Sequence, residues 1–381
     1  MQMDSNTDTV QQWTTLQNGL EHLARATAPM PTPGPDEVLV KIHAVALNYR
    51  DTEVCMGLYN HHKAVAAGGP EPLVPCSDMC GTVVAVGPNL EYAHSVGDRV
   101  VSLFNHMHRT GHVRASEMNT TLGLPLPGVL QTYRVFPSIG LLPAPAYLSD
   151  AEACCLPIAS ITAWMAINGM RPLGRPGGQG EVVLLQGTGG VSVAGLQIAK
   201  ASGATAVVTS SSDAKLAIAK SMGADHLINY TTTPRWADAV LECTAGHGAD
   251  IIFENGGAST LRQSFDAVAF GGIINCIGYL GGKTDKRVSD DNDDNDDDDR
   301  TAINVLALRR NMTLRGILNG PRDRFEEMLQ FYKETKIRPV VHRVFAFDEG
   351  RDAIQYLFSG QHFGKVVIQV SAEATLPPTL E

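Results

Sequence analysis

The residues Val182-Val183-Leu184-Leu185-Gln186 run directly into Gly187-Thr188-Gly189-Gly190-Val191-Ser192. An apolar strand, a glycine turn and the start of a helix together suit one task, the holding of a pyrophosphate. Gly187 permits the tight turn, and Gly189 lets backbone approach the anion. Thr188 and Gly190 complete the loop, and the helix from Val191 offers free N–H groups and the positive end of its dipole. The third glycine of the G-x-G-x-x-G pattern is replaced by Ser192, which is small enough for strand and helix to stay close. A glycine pattern alone is weak, but here four further strand–helix units follow it. The second strand ends at Thr209-Ser210-Ser211-Ser212, with Lys215 one helical turn later. A protein that binds NAD usually places an acid there for the ribose diol. Hydroxyls and an ammonium suit a 2′-phosphate instead, so NADPH (NADP+) is the expected cofactor. Asp213 dissents, although an acid in the first turn of a helix also suits the helix dipole. Tyr230 closes the third strand and is placed either near the adenosine or as a sheet-edge aromatic. Gly278 and Tyr279 follow the fifth strand at its carboxyl end, where open α/β sheets bind ligands.

The elements around these residues change texture near Pro143. Before it the chain is β-rich, with Glu37 to Ala46 alternating and Gly81 to Val86 forming a second strand, closed by Gly87-Pro88. Residues 1–11 read as a tail, and Asn105 to Gly128 as a surface lobe without a clear period. Asp150 to Gly169 reads as one helix capped by Ser149 or Asp150. Strands are then predicted at Val182–Leu185, Ala206–Thr209, His226–Asn229, Asp250–Phe253, Gly272–Ile277 and Thr313–Leu318. Helices alternate with them, which predicts a doubly wound parallel sheet, a Rossmann domain over 151–319. Gly364 to Val370 is a late strand that returns to the first domain, so residues 1–150 and 320–381 make the other unit.

Composition narrows the partners. Thirty Lys and Arg face forty Asp and Glu, a net charge of −10, and eight of the acids lie in the run from Asp290 to Asp299. Without that run the body is near neutral, so no basic face for nucleic acid is expected. The run itself, within 283–300, reads as a solvated acidic loop. No apolar stretch of about 18 residues suggests a membrane span. Seven cysteines, an odd number with no leader before them, point to free thiols in a reducing, cytoplasmic setting. His61, His62, Cys76 and Cys80 form the densest metal-like group but lack the paired spacing of a zinc site, so no metal is expected.

Segments along nearly the whole chain resemble the medium-chain dehydrogenase/reductase superfamily. They are GPDEVLVKIHAVALNYRD (34–51), PLVPCSDMCGTVVAVG (72–87), VGDRVV (96–101), AEACCLPIASITAW (151–164), the glycine turn and its helix (182–204), GADHLINY (223–230), GGIINCIGYLGG (271–282) and HFGKVVIQV (362–370). The similarity is greatest to the zinc-independent, alcohol-dehydrogenase-like and quinone-oxidoreductase-like branches. It implies a GroES-like β-rich catalytic domain beside the Rossmann domain, with the active site in the cleft between them. It also implies a homodimer paired through the sixth strand. Zinc members carry Cys, His and Cys where this sequence has Asn48, Ser77 and Ile158, and their four-cysteine lobe has no counterpart in 101–133. Those three residues cannot serve as a zinc ligand set.

Without a metal, hydride transfer to an α,β-unsaturated carbonyl, a quinone or a related small-molecule carbonyl is the expected chemistry. A metal-free alcohol dehydrogenase or carbonyl reductase is the first alternative, and a cofactor-binding regulator without turnover the second. The resemblance places Asn48 and Tyr49 at the junction of substrate and nicotinamide. Tyr49 is the first choice of donor to the substrate oxygen, since a phenol near its ordinary pKa of about 10 keeps its proton at neutral pH. Thr162 falls where relatives touch the nicotinamide, and Lys365 resembles a late lysine that reaches the cofactor. Arg50 and Asp51 read as a structural pair.

Overall fold

The computed structural model describes residues 9–60, 71–284 and 301–371. The chain divides into two compact units, Met1–Ile161 with Gly320–Glu381, and Thr162–Asn319.

The first unit opens with a hairpin of β1 (Thr9–Thr14) and β2 (Ala24–Pro29), paired antiparallel from Thr9↔Pro29 to Thr14↔Ala24. The expected tail is thus already in the sheet by Thr9. Strand β3 (Glu37–Ala46) is buried at Val38–Val40 and from Ile42 to Ala46, on both faces rather than on alternate residues, and leads into the short helix α1 (Tyr49–Cys55). Strands β4 (Asp78–Val86), β5 (Arg99–Ser102), β6 (Tyr133–Pro137) and β7 (Leu141–Pro143) follow. The region between β5 and β6 holds one short helix, α2 (Ala115–Met118); residues 109–116 are exposed, as in a surface lobe, but both ends of the region are buried. Phe104, Met118, Leu122, Leu124, Val129 and Leu130 are all buried. Its backbone is engaged by distant segments, with the N–H of Trp13 on Leu130 O at 3.0 Å, so no local period betrays its burial.

The stretch read as one helix from 150 is broken. It comprises α3 (Asp150–Ala153), a π-helical turn over Leu156–Ser160, and α4 (Ile161–Asn168). Pro157 has no N–H to give, and such a turn is the usual accommodation. By length and composition the span Asp150–Asn168 would pass for a membrane helix, contrary to the sequence expectation, but 89% of it is buried within the protein. Arg99 pairs with Asp150 at 2.6 Å, which ties the start of this span to β5, and the two units divide after Ile161.

The second unit contributes β8 (Val182–Gln186), α5 (Gly190–Ala201), β9 (Thr205–Ser210), α6 (Asp213–Ser221) and β10 (His226–Asn229). It continues with α7 (Trp236–Cys243), β11 (Ala249–Glu254), α8 (Leu261–Ala267), β12 (Val268–Cys276), α9 (Ile303–Arg310) and β13 (Thr313–Gly316). The six strands form one parallel sheet in the order β10-β9-β8-β11-β12-β13. That order reverses direction between β8 and β11, the switch point at which such sheets bind ligands beyond the strands' carboxyl ends.

After α10 (Arg322–Thr335) the chain adds β14 (Val341–Ala346), α11 (Gly350–Phe358) and β15 (Lys365–Gln369). These return to the first unit, whose main sheet runs β14-β15-β3-β4-β5-β7, with β6 also on β3.

Candidate functional site

In the second unit the glycine turn stands at the end of β8. Gly187 has φ +77, a conformation that glycine adopts without strain. A Cβ built on Gly187 or Gly189 would meet nothing within 4 Å, so the space over the turn is open. Gly189 is the N-cap of α5, whose first-turn N–H groups have no partners within the helix. The residues present therefore fit a dinucleotide pyrophosphate. Ser192 Oγ donates to Gln186 O at 2.8 Å and accepts from Asn255 Nδ2 at 3.0 Å. Close packing of helix on strand falls instead to Gly195, where a Cβ would lie 2.7 Å from both Leu185 and Phe253.

Beneath the turn lies a polar knot that the sequence reading missed. Gln186 and Glu254 are both buried, and Gln186 Nε2 donates to Glu254 Oε2 at 2.8 Å. Gln186 Oε1 accepts from the N–H groups of Asn255 and Gly256, at 3.0 and 3.2 Å. Glu254 Oε1 accepts from the N–H of Gly257 at 2.9 Å and from the Thr260 hydroxyl. The loop carrying Gly278 and Tyr279 is fastened to this knot, with Gly278 N–H on Glu254 O at 3.1 Å and Leu280 N–H on Asn255 O at 3.0 Å. A Cβ at Gly278 would come within 2.9 Å of Asn255 O. Lys283 Nζ stands 4.6 Å from the Tyr279 ring centroid. The available signal was the acid itself, a carboxylate ending an apolar strand.

Ser210 is buried at the end of β9 and takes the N–H of Ser212 on its Oγ at 3.2 Å. Ser212 caps α6 by accepting from Lys215 N–H at 3.4 Å, while Ser211 is exposed. Lys215 is half-buried, and loss of water lowers its pKa. Tyr230 is exposed, with its N–H on Ser210 O at 3.1 Å. The hydroxyl of Thr162, in α4, is buried and has no hydrogen-bond partner among the described residues.

In the first unit Asn48 is the N-cap of α1, and its N–H donates to Asp51 Oδ2 at 2.8 Å. The side chain of Asn48 does not cap the helix. Its Oδ1 accepts from Lys365 Nζ at 2.6 Å, and the same ammonium donates to Leu47 O at 2.6 Å. Lys365 is only 5% exposed. Rather than reaching away from this unit, its ammonium is engaged beside Asn48. Asp78 is fully buried, with Oδ1 accepting from Ser77 Oγ at 2.7 Å and Oδ2 from Ile158 N–H at 3.0 Å. Burial raises the Asp78 pKa against the opposing pull of Lys365 and of the Asn48 amide. Asn48 Nδ2 is buried and completes no hydrogen bond among the described residues.

Burial also pushes the Asp51 carboxyl up to about 6, outweighing the Arg50 charge, whose Nη1 stands 3.5 Å away. The Arg50 guanidinium lies between the Tyr59 and Phe104 rings, 4.7 and 4.9 Å from their centroids. Tyr49 is 39% exposed and stacks on Phe358, with centroids 6.4 Å apart. Partial burial and the Glu53 charge raise its pKa, so the phenol is protonated at neutral pH.

The donor set of zinc-type enzymes does not fit here. Asn48 is held by an ammonium, Ser77 donates to a carboxylate, and Ile158 contributes an N–H. Among the described residues no group of three or more His, Cys, Asp or Glu is placed to hold a metal. His61, His62 and the acidic run lie outside the described residues.

Residues 34–146 match the alcohol dehydrogenase GroES-like domain family, and residues 190–334 match the zinc-binding dehydrogenase family. A zinc-type alcohol dehydrogenase-like protein of Schizosaccharomyces pombe is 38% identical over 88% of this chain and 91% of its own length. A crystal structure from Sinorhizobium meliloti, assigned to the alcohol dehydrogenases, superposes with a TM-score of 0.82 at 35% identity, covering 97% of this chain and 100% of that one. A structure described as an NAD-dependent alcohol dehydrogenase gives a TM-score of 0.79 at 33% identity, over 95% and 100% of the two chains.

Proposed function

Because the chain belongs to the medium-chain dehydrogenase/reductase superfamily of oxidoreductases, we propose that it is an NADPH-dependent, zinc-independent reductase of an α,β-unsaturated carbonyl, a quinone or a related carbonyl. The observation that carries this reading is the Lys365 ammonium on Asn48 Oδ1 at 2.6 Å, at a position where zinc chemistry needs a thiolate. Reduction of a conjugated acceptor makes an enolate or hydroquinone, which needs less help from a Lewis acid than an alkoxide does. For the cofactor, the support is the hydroxyl-rich end of β9 with Lys215 behind it.

A bound nicotinamide supplies the hydride. The chain would hold the pyrophosphate on Gly187 to Val191 and the adenosine ribose on Ser210, Ser211, Ser212 and Lys215. The knot of Gln186, Glu254 and Asn255 keeps the turn and the Gly278–Tyr279 loop in register. Tyr49 donates a hydrogen bond to the substrate oxygen, which accumulates charge as hydride reaches the electrophilic carbon. The proton that completes the reduction comes from the phenol or from water. The reading carries a cytoplasmic homodimer with it. Its support is the edge strand β13, where Leu314 is 38% exposed, beside α9, where Leu308 is 77% exposed.

The test is oxidation of NADPH and NADH against trans-2-hexenal and 9,10-phenanthrenequinone, with ethanol plus NADP+ in the reverse direction, on protein of measured zinc content. NADPH-driven reduction that survives chelation supports the proposal. A metal-dependent rate or an NADH preference overturns it. Alcohol or simple carbonyl turnover with NAD(H) favours the second reading, to which the 33% identical NAD-dependent alcohol dehydrogenase lends its weight.

A further inference from the structure

Asn48, Ser77 and Ile158 come from three separate segments, yet each touches one of two buried charged groups, Lys365 and Asp78, of which the first lowers the pKa of the second. Asn48 Oδ1 takes the Lys365 ammonium, Ser77 donates to Asp78 Oδ1, and Ile158 N–H donates to Asp78 Oδ2. These are the positions at which zinc members of the family converge on their metal. In this chain the first of them meets a cation supplied by β15 and the other two meet the Asp78 carboxylate. Lys365, Arg50, Asp51 and Asp78 together carry two positive and two negative charges, so the cluster is balanced without an ion from outside.

A lysine buried to this degree is costly, and packing alone would be served as well by an apolar residue of its size. What the ammonium does that a methionine would not is hold Asn48 Oδ1 and Leu47 O together, each at 2.6 Å. Those two residues lead directly into α1, and Tyr49 is its first residue. We propose that Lys365 is a positioning residue: its ammonium takes over the organising charge that a metal supplies in zinc-type relatives, and so fixes Asn48 and Tyr49 at the head of α1. The activity arm of its test rests on the reductase reading above; the exchange arm does not.

The experiment compares wild type with Lys365→Met by hydrogen–deuterium exchange and by steady-state kinetics with NADPH and 9,10-phenanthrenequinone. Exchange over residues 47–55 should rise about tenfold or more while the parallel sheet of the second unit is unchanged. The kcat should fall about thirtyfold or more, with KM and NADPH affinity within about threefold. Unchanged exchange over 47–55 overturns the proposal, and so does faster exchange with kcat within twofold, which is the signature of a merely structural lysine. If Lys365→Met does not fold, Asn48→Leu removes the bridge and leaves the Leu47 contact. The same split between kcat and KM is then required, and a kcat within twofold of wild type overturns the proposal. A wild type that reduces no acceptor sinks the functional reading alone, and exchange over 47–55 then decides this one.

Discussion

The Asp213 carboxylate accepts a hydrogen bond from the Asn229 amide at 2.7 Å. This contact joins the start of α6 to the end of β10 and occupies the acid that would otherwise compete for a ribose diol. On the proposed NADPH reading, selection for a 2′-phosphate would rest on Ser210, Ser211, Ser212 and Lys215. Lys215→Ala should weaken NADPH binding about tenfold, or about 1.4 kcal/mol, and leave NADH within twofold, as read by fluorescence titration. Equal losses for both cofactors would show that Lys215 does not read the phosphate.

Tyr49→Phe removes one hydroxyl and keeps the stack on Phe358. If the phenol meets the substrate oxygen, kcat should drop about a hundredfold with cofactor affinity unchanged. Full activity in this variant would take Tyr49 out of the chemistry and leave it as an aromatic packed on α11.

Asp51 gives the fold a pH signature. Its folded pKa is raised to about 6 by burial, above an unfolded value near 3.8. The native state thus keeps a proton that the unfolded chain has already released. The stabilisation this brings is complete below about pH 4, fades as pH rises through 6, and is flat beyond. Urea midpoints of wild type should therefore decline from pH 4 to 6 relative to those of Asp51→Asn. Parallel profiles for the two proteins would contradict the assignment.

Gly187 and Gly195 should respond to alanine for opposite reasons. At Gly195 the new methyl would sit 2.7 Å from Leu185 and Phe253, so Gly195→Ala should cost about 1–3 kcal/mol of stability by overpacking. At Gly187 the space is open but φ is +77, so Gly187→Ala pays only backbone strain, about 1–2 kcal/mol. Its methyl would also project into the cradle. Thermal unfolding should rank Gly195→Ala as the less stable variant, and NADPH titration should rank Gly187→Ala as the weaker binder.

The parallel sheet was legible because its strands are buried on both faces and read as short apolar runs, as at Val182–Leu185 and Ala206–Thr209. Strand β12 begins at Val268 rather than Gly272, because Val268 pairs with Ala249 ahead of a register shift that no sequence pattern announces. The glycine turn was legible for a chemical reason, since few other residues serve there. Glu254 was not, because its worth lies in five partners reached only after folding. The Lys365–Asn48 contact spans 317 residues of sequence and lies beyond any local rule. The break at Pro157 was in view, but its product was not, since the N–H freed in the π turn is spent on Asp78.

The first unit is discontinuous, and β15 lies inside its sheet between β14 and β3. During synthesis the chain leaves the ribosome from its amino end. The second unit, Thr162–Asn319, is complete as soon as its last strand emerges. Most of the first unit is translated earlier, but it must wait with the Ala44–Ala46 end of β3 unpaired on that side until Lys365–Gln369 arrives. Its interval of exposure is therefore set by translation of the intervening unit, and slow elongation across residues 162–319 lengthens it. The Lys365 ammonium that holds Asn48 Oδ1 is delivered by that same final strand, so this contact is among the last to form.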